Sequence, residues 1–542
     1  MVRGMVGTGQ GPSAFGRPAK LAASTLAWML WACGAKIDIV DAPATAGKSA
    51  AGVIPTGSGG ATSSSAKPGS LVSTGGAPIS MQGGNAGALT AGADERGGEA
   101  GGCTDTGCNT CPAGFYARVL EPLRCVPKVV QISLNGSYGC ALFGDASVKC
   151  WGQAGALGDG TPWENGIDDH AHDIGDDEVP SMVEPLSLSS SPDVKVVQVT
   201  AGVFSACAVL SDGSLKCWGD GSWGVLGRGD RLGAYLAKTV EPISVSTDPN
   251  EKVVQVAVGQ SFACALLSTK KVKCWGTNQN GELGRPGQPP DSQLPSEMEP
   301  VSVSSDPGVS VVQLSAANFH VCALLTSGAV KCWGENYAGQ LGIGDRQAIG
   351  DDELPSSVPD VRVSDDPNLT AIQVVTSQVH TCALLSDATV RCWGSPDALG
   401  YPPATFVDPP PTPAMQPPVQ IAPPSTFVTS LSAGIFFTCA TLSDGTARCW
   451  GQDYYGQLGY GNTEQIDDNE TPESAGPIAI TSSDQLKVLS LAAGDGHTCA
   501  VLSDGSAKCW GKNWHGQLGQ GSRENIGDNE LPLSVGPISF YE

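Results

Sequence analysis

The sequence is poor in basic residues. Its 542 residues include 30 Lys plus Arg against 54 Asp plus Glu, which gives a formal net charge of -24. Sequence-independent binding to nucleic acid depends on basic side chains that displace phosphate counterions, so this composition argues against a nucleic-acid partner. Only 15% of the residues are charged, while 71 are glycine and 39 are proline. Such a chain is expected to be rich in loops and poor in long helices.

Motifs of the common enzyme classes are also missing. The sequence contains no G-x-S-x-G elbow, no H-E-x-x-H and no phosphate-binding loop with a lysine. Carboxylates are abundant, but no pair is singled out by its spacing. We therefore expect no enzymatic activity, no catalytic residue, no cofactor and no metal.

The apolar run near the N-terminus, Leu21 to Ala32, is too short to span a bilayer but suits the core of a signal peptide. It ends in Leu30-Trp31-Ala32-Cys33, which resembles a bacterial lipobox. We predict that residues 1–33 are a signal peptide of the lipoprotein type, with lipidation at Cys33. A cleaved secretory signal and a chance apolar stretch are the alternatives. The protein is expected to be exported, either lipid-anchored in the cell envelope or secreted, and to touch the membrane only through this anchor.

Two further segments precede the main body of the chain. Residues 34–102 consist largely of Ala, Gly, Ser, Thr and Pro, and too little apolar surface is available to order them, so we predict a disordered tether. Residues 103–127 contain Cys103, Cys108, Cys111 and Cys125. We predict a small segment with two disulfides, whose pairing the sequence leaves open, and a zinc site of four thiolates is the alternative.

Residues 128–542 contain one sequence unit repeated seven times. The 24-residue units align without a gap and begin at Val129, Val196, Val253, Val311, Ala371, Val428 and Val488. Their spacing of 57 to 67 residues suits one propeller blade plus a loop. Each unit has three short strand signals that are apolar on both faces, as a blade packed between two others requires. We predict an all-β, seven-bladed β-propeller.

Each unit carries two cysteines with C-x9-C spacing. The pairs are Cys140 and Cys150, Cys207 and Cys217, Cys264 and Cys274, Cys322 and Cys332, Cys382 and Cys392, Cys439 and Cys449, and Cys499 and Cys509. In the last unit, Ser503-Asp504-Gly505 predicts a three-residue hairpin loop that places the two cysteines directly opposite each other. Opposed residues are close enough for a disulfide. Free thiols and metal binding are the alternatives, although two ligands per blade do not make a structural zinc site. Seven disulfides would imply an oxidising compartment.

The seven units, with G-x-x-H-T-C-A-L-L-S-D-G-S-V-K-C-W-G and the closing G-x-N-x-x-G-Q-L-G, resemble the regulator of chromosome condensation repeat family. The resemblance extends from Val129 to Glu542 and implies a seven-bladed propeller. The paired cysteines are similar to those of secreted bacterial members. The resemblance also implies ring closure by the C-terminal strand, in which Gly536 to Phe540 would complete the blade that starts at Val129 and remove both exposed edges.

Aromatic residues in turns and loops are the candidate partner-binding residues. They are Phe204, Trp223, Phe319, Tyr337, Phe436, Tyr454 and Trp514. Such side chains on a propeller face would supply a large contact area at low entropic cost. Packing within the repeats is the alternative for each of them.

Two sets of polar residues raise the question of metal binding. His320, His380 and His497 occupy one position in three units, and we expect them to be structural and hydrogen-bonded within their blades. The acidic loops 174–178, 349–353, 466–470 and 526–530 contain hard oxygen ligands that suit Ca²⁺. Their spacing matches no EF-hand, so we expect turn and capping roles instead.

These observations predict a monomeric, non-enzymatic binding or scaffold module at the cell envelope. Its face loops would engage a protein or an extracellular polymer. An inhibitor-like role is implied by the resemblance, because secreted members of the fold family include β-lactamase inhibitors with aromatic-rich loops. The alternatives are nucleotide exchange on a small GTPase, as in eukaryotic members, and an enzyme that acts on polysaccharide.

Overall fold

The structure, a computed structural model, describes residues 114–118, 124–161, 172–290, 292–401, 408–467 and 470–541. The predicted signal peptide, the lipidation site at Cys33, the tether, and Cys103, Cys108 and Cys111 lie outside the described residues and stay predictions. Cys125 is disulfide-bonded. No helix within the described ranges is both long and apolar enough to cross a membrane.

Each repeat unit folds into one three-stranded antiparallel sheet, or blade, and the described residues contain seven of them. The first strand of each unit is innermost: β3 (Val129–Asn135), β6 (Val196–Ala201), β9 (Val253–Val258), β12 (Val311–Ala316), β15 (Ala371–Thr376), β18 (Val428–Ala433) and β21 (Val488–Ala493). The middle strands are β4 (Tyr138–Phe143), β7 (Ser205–Leu210), β10 (Phe262–Leu267), β13 (His320–Leu325), β16 (His380–Leu385), β19 (Phe437–Leu442) and β22 (His497–Leu502). The third strands are β5 (Val148–Gly152), β8 (Leu215–Gly219), β11 (Val272–Gly276), β14 (Val330–Gly334), β17 (Val390–Gly394), β20 (Ala447–Gly451) and β23 (Ala507–Gly511).

The remaining elements are short. Strands β1 (Phe115–Arg118) and β2 (Arg124–Pro127) form a separate hairpin before the first blade. The one α-helix among the described residues is α1 (Pro472–Ala475). The 3-10 turns are Pro180–Met182, Ala237–Thr239, Pro295–Glu297, Pro355–Ser357, Pro396–Ala398, Pro413–Met415 and Pro532–Ser534.

The hairpin between the middle and third strands has the predicted geometry. In the last unit, Leu502 N donates to Ser506 O over 2.9 Å, and Gly505 has a φ of +92°, in the left-handed region that glycine adopts without a steric penalty. The register then places Cys499 opposite Cys509. All seven predicted pairs form disulfides, and all are buried.

The tryptophan of each C-W-G sequence is buried, and in six of the seven units its indole N–H donates to a carbonyl of the preceding unit in the ring. Trp450 Nε1 has no hydrogen-bond partner among the described residues. Trp333 Nε1 donates to Glu282 O over 3.0 Å, and Trp510 Nε1 donates to Gln457 O over 3.0 Å. Both acceptors belong to the G-x-L-G turn of the previous unit. Trp151 of the first unit donates in the same way to Gln517 O of the last unit, over 2.8 Å. The first and seventh blades are therefore neighbours, and the ring is closed.

The C-terminal segment does not pair as we expected. Ile538 N donates to Ala507 O on β23 over 2.8 Å, so the segment continues the seventh blade and does not complete the sheet that begins at Val129. Every unit follows this rule, because the segment after the third strand returns along that same strand, as when Ile243 N donates to Leu215 O. The segment still helps to close the ring, because Phe540 O accepts from Lys149 Nζ of the first blade over 2.7 Å and the Phe540 ring centroid lies 5.1 Å from that of Phe143.

Candidate functional site

The turn after each inner strand and the loop after each third strand lie at the same end of the ring. Asp220 N donates to Phe204 O over 2.9 Å, and Glu335 N donates to Phe319 O over 2.9 Å. Gly219, at the end of β8, has a φ of +108°, and a β-carbon there would lie 2.6 Å from Phe204 O. Glycine after the tryptophan therefore lets the two segments meet. We call this end of the ring the aromatic face, and it carries all seven candidate aromatic residues.

Their exposure divides these residues into two groups. The loop residues Trp223, Tyr337, Tyr454 and Trp514 are 43%, 47%, 61% and 43% exposed. The turn residues Phe204, Phe319 and Phe436 are half-buried. The four loop residues thus offer open ring surface on four different units, whereas the phenylalanines divide their surface between packing and solvent.

Two of the exposed residues belong to a connected patch across units six and seven. The Tyr455 and Trp514 rings pack edge to face with centroids 5.3 Å apart, and the centroids of Tyr454 and Tyr455 are 6.5 Å apart. Lys512 Nζ lies 4.5 Å from the Trp514 centroid and 5.6 Å from that of Tyr455. Within this distance an ammonium group is attracted by the ring quadrupole. Lys512 is not among the candidate residues predicted from the sequence, although it directly follows C-W-G in its unit.

The acidic loops form part of the same end of the ring. Asp176 Oδ2 accepts from Arg523 Nε over 3.1 Å, and Asp173 Oδ2 lies 2.9 Å from His515 Nδ1, so both contacts cross from the first unit to the seventh. Asp176 Oδ1 accepts from Asp177 N over 2.8 Å, which is the turn role that we expected. Burial raises the pKa of Glu178 to about 7.

The carboxylates of two acidic loops lie close enough together to hold a cation. In Asp176-Asp177-Glu178 and in Asp351-Asp352-Glu353, one oxygen per residue lies within 4.8 Å of the others. Asp176 already has a basic partner in Arg523, and Asp351 and Asp352 are exposed. Asp176 has the expected turn role, and whether the loops bind Ca²⁺ stays an open prediction.

Glutamine side chains on the inner strands join the blades around the central channel. Gln255 Nε2 donates to Leu314 O over 2.7 Å, and Gln255 Oε1 accepts from Leu314 N over 2.9 Å. Gln131, Gln198, Gln313 and Gln373 make the same pair of bonds to the next blade. These glutamines, which lie along the wall of the channel, therefore hold adjacent blades together. The sequence signal for these bonds is the glutamine in the third position of units one to five, as in the repeated V-V-Q.

The three histidines are buried, but within the part of the chain that the structure describes the expected hydrogen bond within the blade is present only for His380, whose Nδ1 lies 2.6 Å from Ser377 Oγ. His320 Nε2 lies 2.9 Å from Thr381 Oγ1, and His380 Nε2 lies 2.7 Å from Thr438 Oγ1, so both bonds cross to the next blade. The matching position opposite His497 is Gly139, which has no hydroxyl, and neither ring nitrogen of His497 has a partner within the described ranges. Burial lowers the pKa of each imidazole to about 3, so all three are neutral.

These features define the class of the protein: a closed ring of seven disulfide-containing blades, which is a seven-bladed β-propeller. A family model described as the RCC1-like domain matches residues 87–474, and the regulator of chromosome condensation (RCC1) repeat matches residues 488–517. The chain belongs to the RCC1-like family.

Similar proteins include one from a plant and two from yeasts. The chain is 27% identical to the ultraviolet-B receptor UVR8 of Arabidopsis thaliana over 415 residues, which cover 76% of this chain and 82% of UVR8. It is 26% identical to the protein pim1 of Schizosaccharomyces pombe, over 65% of this chain and 64% of pim1. Among solved structures, yeast RCC1 (Prp20) bound to Kap60 has a TM-score of 0.53 and 20% identity, over 76% of this chain and 85% of that one. At this identity the likeness shows the fold alone.

Proposed function

We propose that this chain is a non-enzymatic binding module whose aromatic face engages a partner at the cell envelope. The observation that carries the proposal is the exposure of Trp223, Tyr337, Tyr454 and Trp514 in corresponding loops of four units. Large aromatic side chains left open to water at one end of a rigid ring have no role in its core. They are the residue types that dominate the binding energy of protein interfaces.

Seven disulfides support the envelope location, because such bonds persist in an oxidising compartment. In this proposal Cys33 carries the lipid and residues 34–102 are the tether that holds the ring away from the membrane. Export, the anchor and the monomeric state belong to the proposal. Mass spectrometry of the mature N-terminus tests the first two, and a mature chain that retains residues 1–32 would contradict them.

The charge around Tyr454 favours a partner with cationic groups at that part of the aromatic face. Residues 452–470 contain five Asp or Glu residues and no lysine or arginine, and the exposed Tyr454 ring lies in this segment. Both ring faces and carboxylates attract ammonium and guanidinium groups. A protein with a basic surface therefore fits this face best, an extracellular polymer with cationic groups fits it next, and an inhibitor-like role is one form of such binding.

The test begins with capture of a partner from envelope extracts by the tethered chain and its identification by mass spectrometry. Affinity is then measured with the purified partner. We expect Trp223→Ala, Tyr454→Ala and Trp514→Ala each to weaken binding at least about tenfold, as interface hot spots do. The matched control is Leu489→Ala, because Leu489 is 59% exposed at the start of β21, at the opposite end of the ring. Equal affinity of all four variants would overturn the proposal.

A further inference from the structure

An asparagine fixes the loop after the third strand in three units, and it does so in the same way each time. In unit seven, Asn513 Oδ1 accepts from Leu518 N over 2.9 Å, while Nδ2 donates to Ser522 O and Glu524 O, each over 2.8 Å. Asn336 makes the corresponding bonds to Leu341, Asp345 and Gln347, and Asn278 makes them to Leu283, Arg285 and Gly287. The amide group bridges one backbone N–H and two carbonyls across the loop.

Unit six has an aspartate at this position. Asp453 is fully buried, and its Oδ1 accepts from Leu458 N over 3.1 Å, as the asparagines do. The loops of units four, six and seven have equal length, and each is closed by a bridge from the C-W-G glycine to an isoleucine, which in unit six joins Gly451 to Ile466. Asp453 Oδ2 therefore occupies the place of the amide nitrogen, and by register it faces the carbonyls of Asn462 and Glu464. Oδ2 has no hydrogen-bond partner among the residues that the structure describes.

An ionised carboxylate does not suit this position. Both oxygens of an ionised carboxylate only accept hydrogen bonds, and the two backbone carbonyls also only accept. Asp453 Oδ2 would therefore be a buried, charged oxygen without a donor. A neutral carboxylic acid carries one O–H and can donate to one of the carbonyls. In unit seven the corresponding heavy-atom distances are 2.8 Å, which is the length of a hydrogen bond, so an acid proton fits between the matching atoms of unit six.

We propose that Asp453 is held as a neutral carboxylic acid that donates to a carbonyl of its own loop, and that its ionisation at alkaline pH loosens the loop bearing Tyr454 and Tyr455. The acid would thus act as a pH-sensitive latch beneath one part of the aromatic face. The inference concerns the loop itself and does not depend on the identity of a partner.

The surrounding charges support this arrangement. Burial raises the pKa of Asp453 to about 8, and the carboxylate of Asp528 in the next unit adds to the rise, while backbone N–H groups of Leu458, Gly456 and Gln457 oppose it. Tyr460 of the same loop also interacts with Asp453, and its own pKa is raised to about 12, so it stays neutral. In the unfolded chain the carboxyl ionises near pH ~4. The folded state therefore retains a proton that the unfolded state releases, and stability is lost as the pH rises from about 4 to about 8.

The first test is a carbon NMR titration of aspartate-labelled chain, with Asp453→Asn used to assign the signal. We expect the Asp453 carboxyl to titrate near pH 8. Amide hydrogen exchange of Ile466 is followed in the same sample relative to Ile526, the matched amide beside Asn513. Their exchange ratio should rise about tenfold between pH 7 and pH 9, because the Asp453 loop opens more often once it is charged.

Two exchanged variants complete the test. Asp453→Asn should raise the midpoint of thermal unfolding, by an amount that grows up to about pH 8 and is constant above it, and it should abolish the change in the exchange ratio. Asn513→Asp should transfer the same pH dependence to unit seven. A carboxyl that titrates below pH 5, or an exchange ratio that stays constant from pH 7 to pH 9, would overturn the proposal without bearing on partner binding.

Discussion

The two ends of the ring differ in how much their loops vary. At the end opposite the aromatic face, five of the seven hairpin loops repeat one arrangement, in which an aspartate accepts from the backbone N–H two residues later, as Asp504 does from Ser506 N over 2.9 Å. At the aromatic face the loops differ in length, charge and aromatic content, and Tyr454 is 61% exposed. The hairpin end therefore maintains the fold, whereas the loops of the aromatic face can vary and acquire a function.

The largest expected effect comes from a buried tryptophan compared with an exposed one. Trp151→Ala removes a fully buried indole and its hydrogen bond across the seam, and should lower the free energy of unfolding by about 3 to 5 kcal/mol. Trp223→Ala should change it by less than about 0.5 kcal/mol, because its ring is open to water. Denaturant titration of both variants measures the difference. Similar losses of unfolding free energy in the two variants would contradict the assignment of Trp151 to the core and of Trp223 to the exposed aromatic face.

Removal of one disulfide should have the next largest effect. The double substitution Cys499→Ala and Cys509→Ala releases a short loop of the unfolded chain and should cost about 2 to 3 kcal/mol of unfolding free energy. Denaturant titration measures this loss. The affinity of the folded variant for the partner should be unchanged, because the disulfide lies inside the blade. A large loss of affinity with little loss of stability would place this hairpin in the binding surface instead.

A hairpin aspartate should contribute less. Asp504→Ala removes two hydrogen bonds to Ser506, one from its N–H over 2.9 Å and one from its hydroxyl over 2.7 Å, and should lower stability by about 1 kcal/mol. Tyr337→Ala, at the other end of the ring, is the control and should be near neutral in stability. Thermal unfolding followed by circular dichroism compares the two variants. A greater loss of stability in Tyr337→Ala than in Asp504→Ala would contradict the assignment of the hairpin end to the fold and of the aromatic face to binding.

A further expected effect is a pH dependence of stability that arises at the aromatic face. Burial raises the pKa of Glu335 to about 7, and nearby Glu282 adds to the rise. Since the folded value lies above the ordinary value of 4.5, the folded state holds the proton more tightly, and stability should fall as the pH rises from 4.5 to 7. Glu335→Gln should flatten this slope, whereas Glu241→Gln, at an exposed carboxylate, should leave it unchanged. An unchanged slope in Glu335→Gln would mean that this carboxyl ionises normally in the fold.

The sequence was sufficient to predict features that arise within one unit. The C-x9-C spacing and the Ser503-Asp504-Gly505 turn determine the register of a hairpin, because strand residues pair at fixed offsets from a loop of known length. The strands, the number of blades and the disulfides follow from that local rule. The candidate aromatic residues could also be read from their loops, but their exposure could not.

Features that depend on contacts between units could not be predicted. The bonds of Gln255 and His320 cross to the next blade, and the position of one blade relative to another is absent from the pattern inside a repeat. The C-terminal segment was assigned to the wrong blade for the same reason, since its hydrogen bond to Ala507 depends on the return path after the third strand. Asp453 was visible in the sequence as a change from asparagine, but its burial and its unmatched oxygen required the folded loop.

The most direct test of the account is hydrogen–deuterium exchange of the full chain with and without the purified partner. We predict protection in the loops at residues 220–224, 335–338, 452–456 and 512–516, and no change in the hairpin loops at residues 211–214, 443–446 and 503–506. Protection of the hairpin loops with the aromatic loops unchanged would contradict the assignment of binding to the aromatic face.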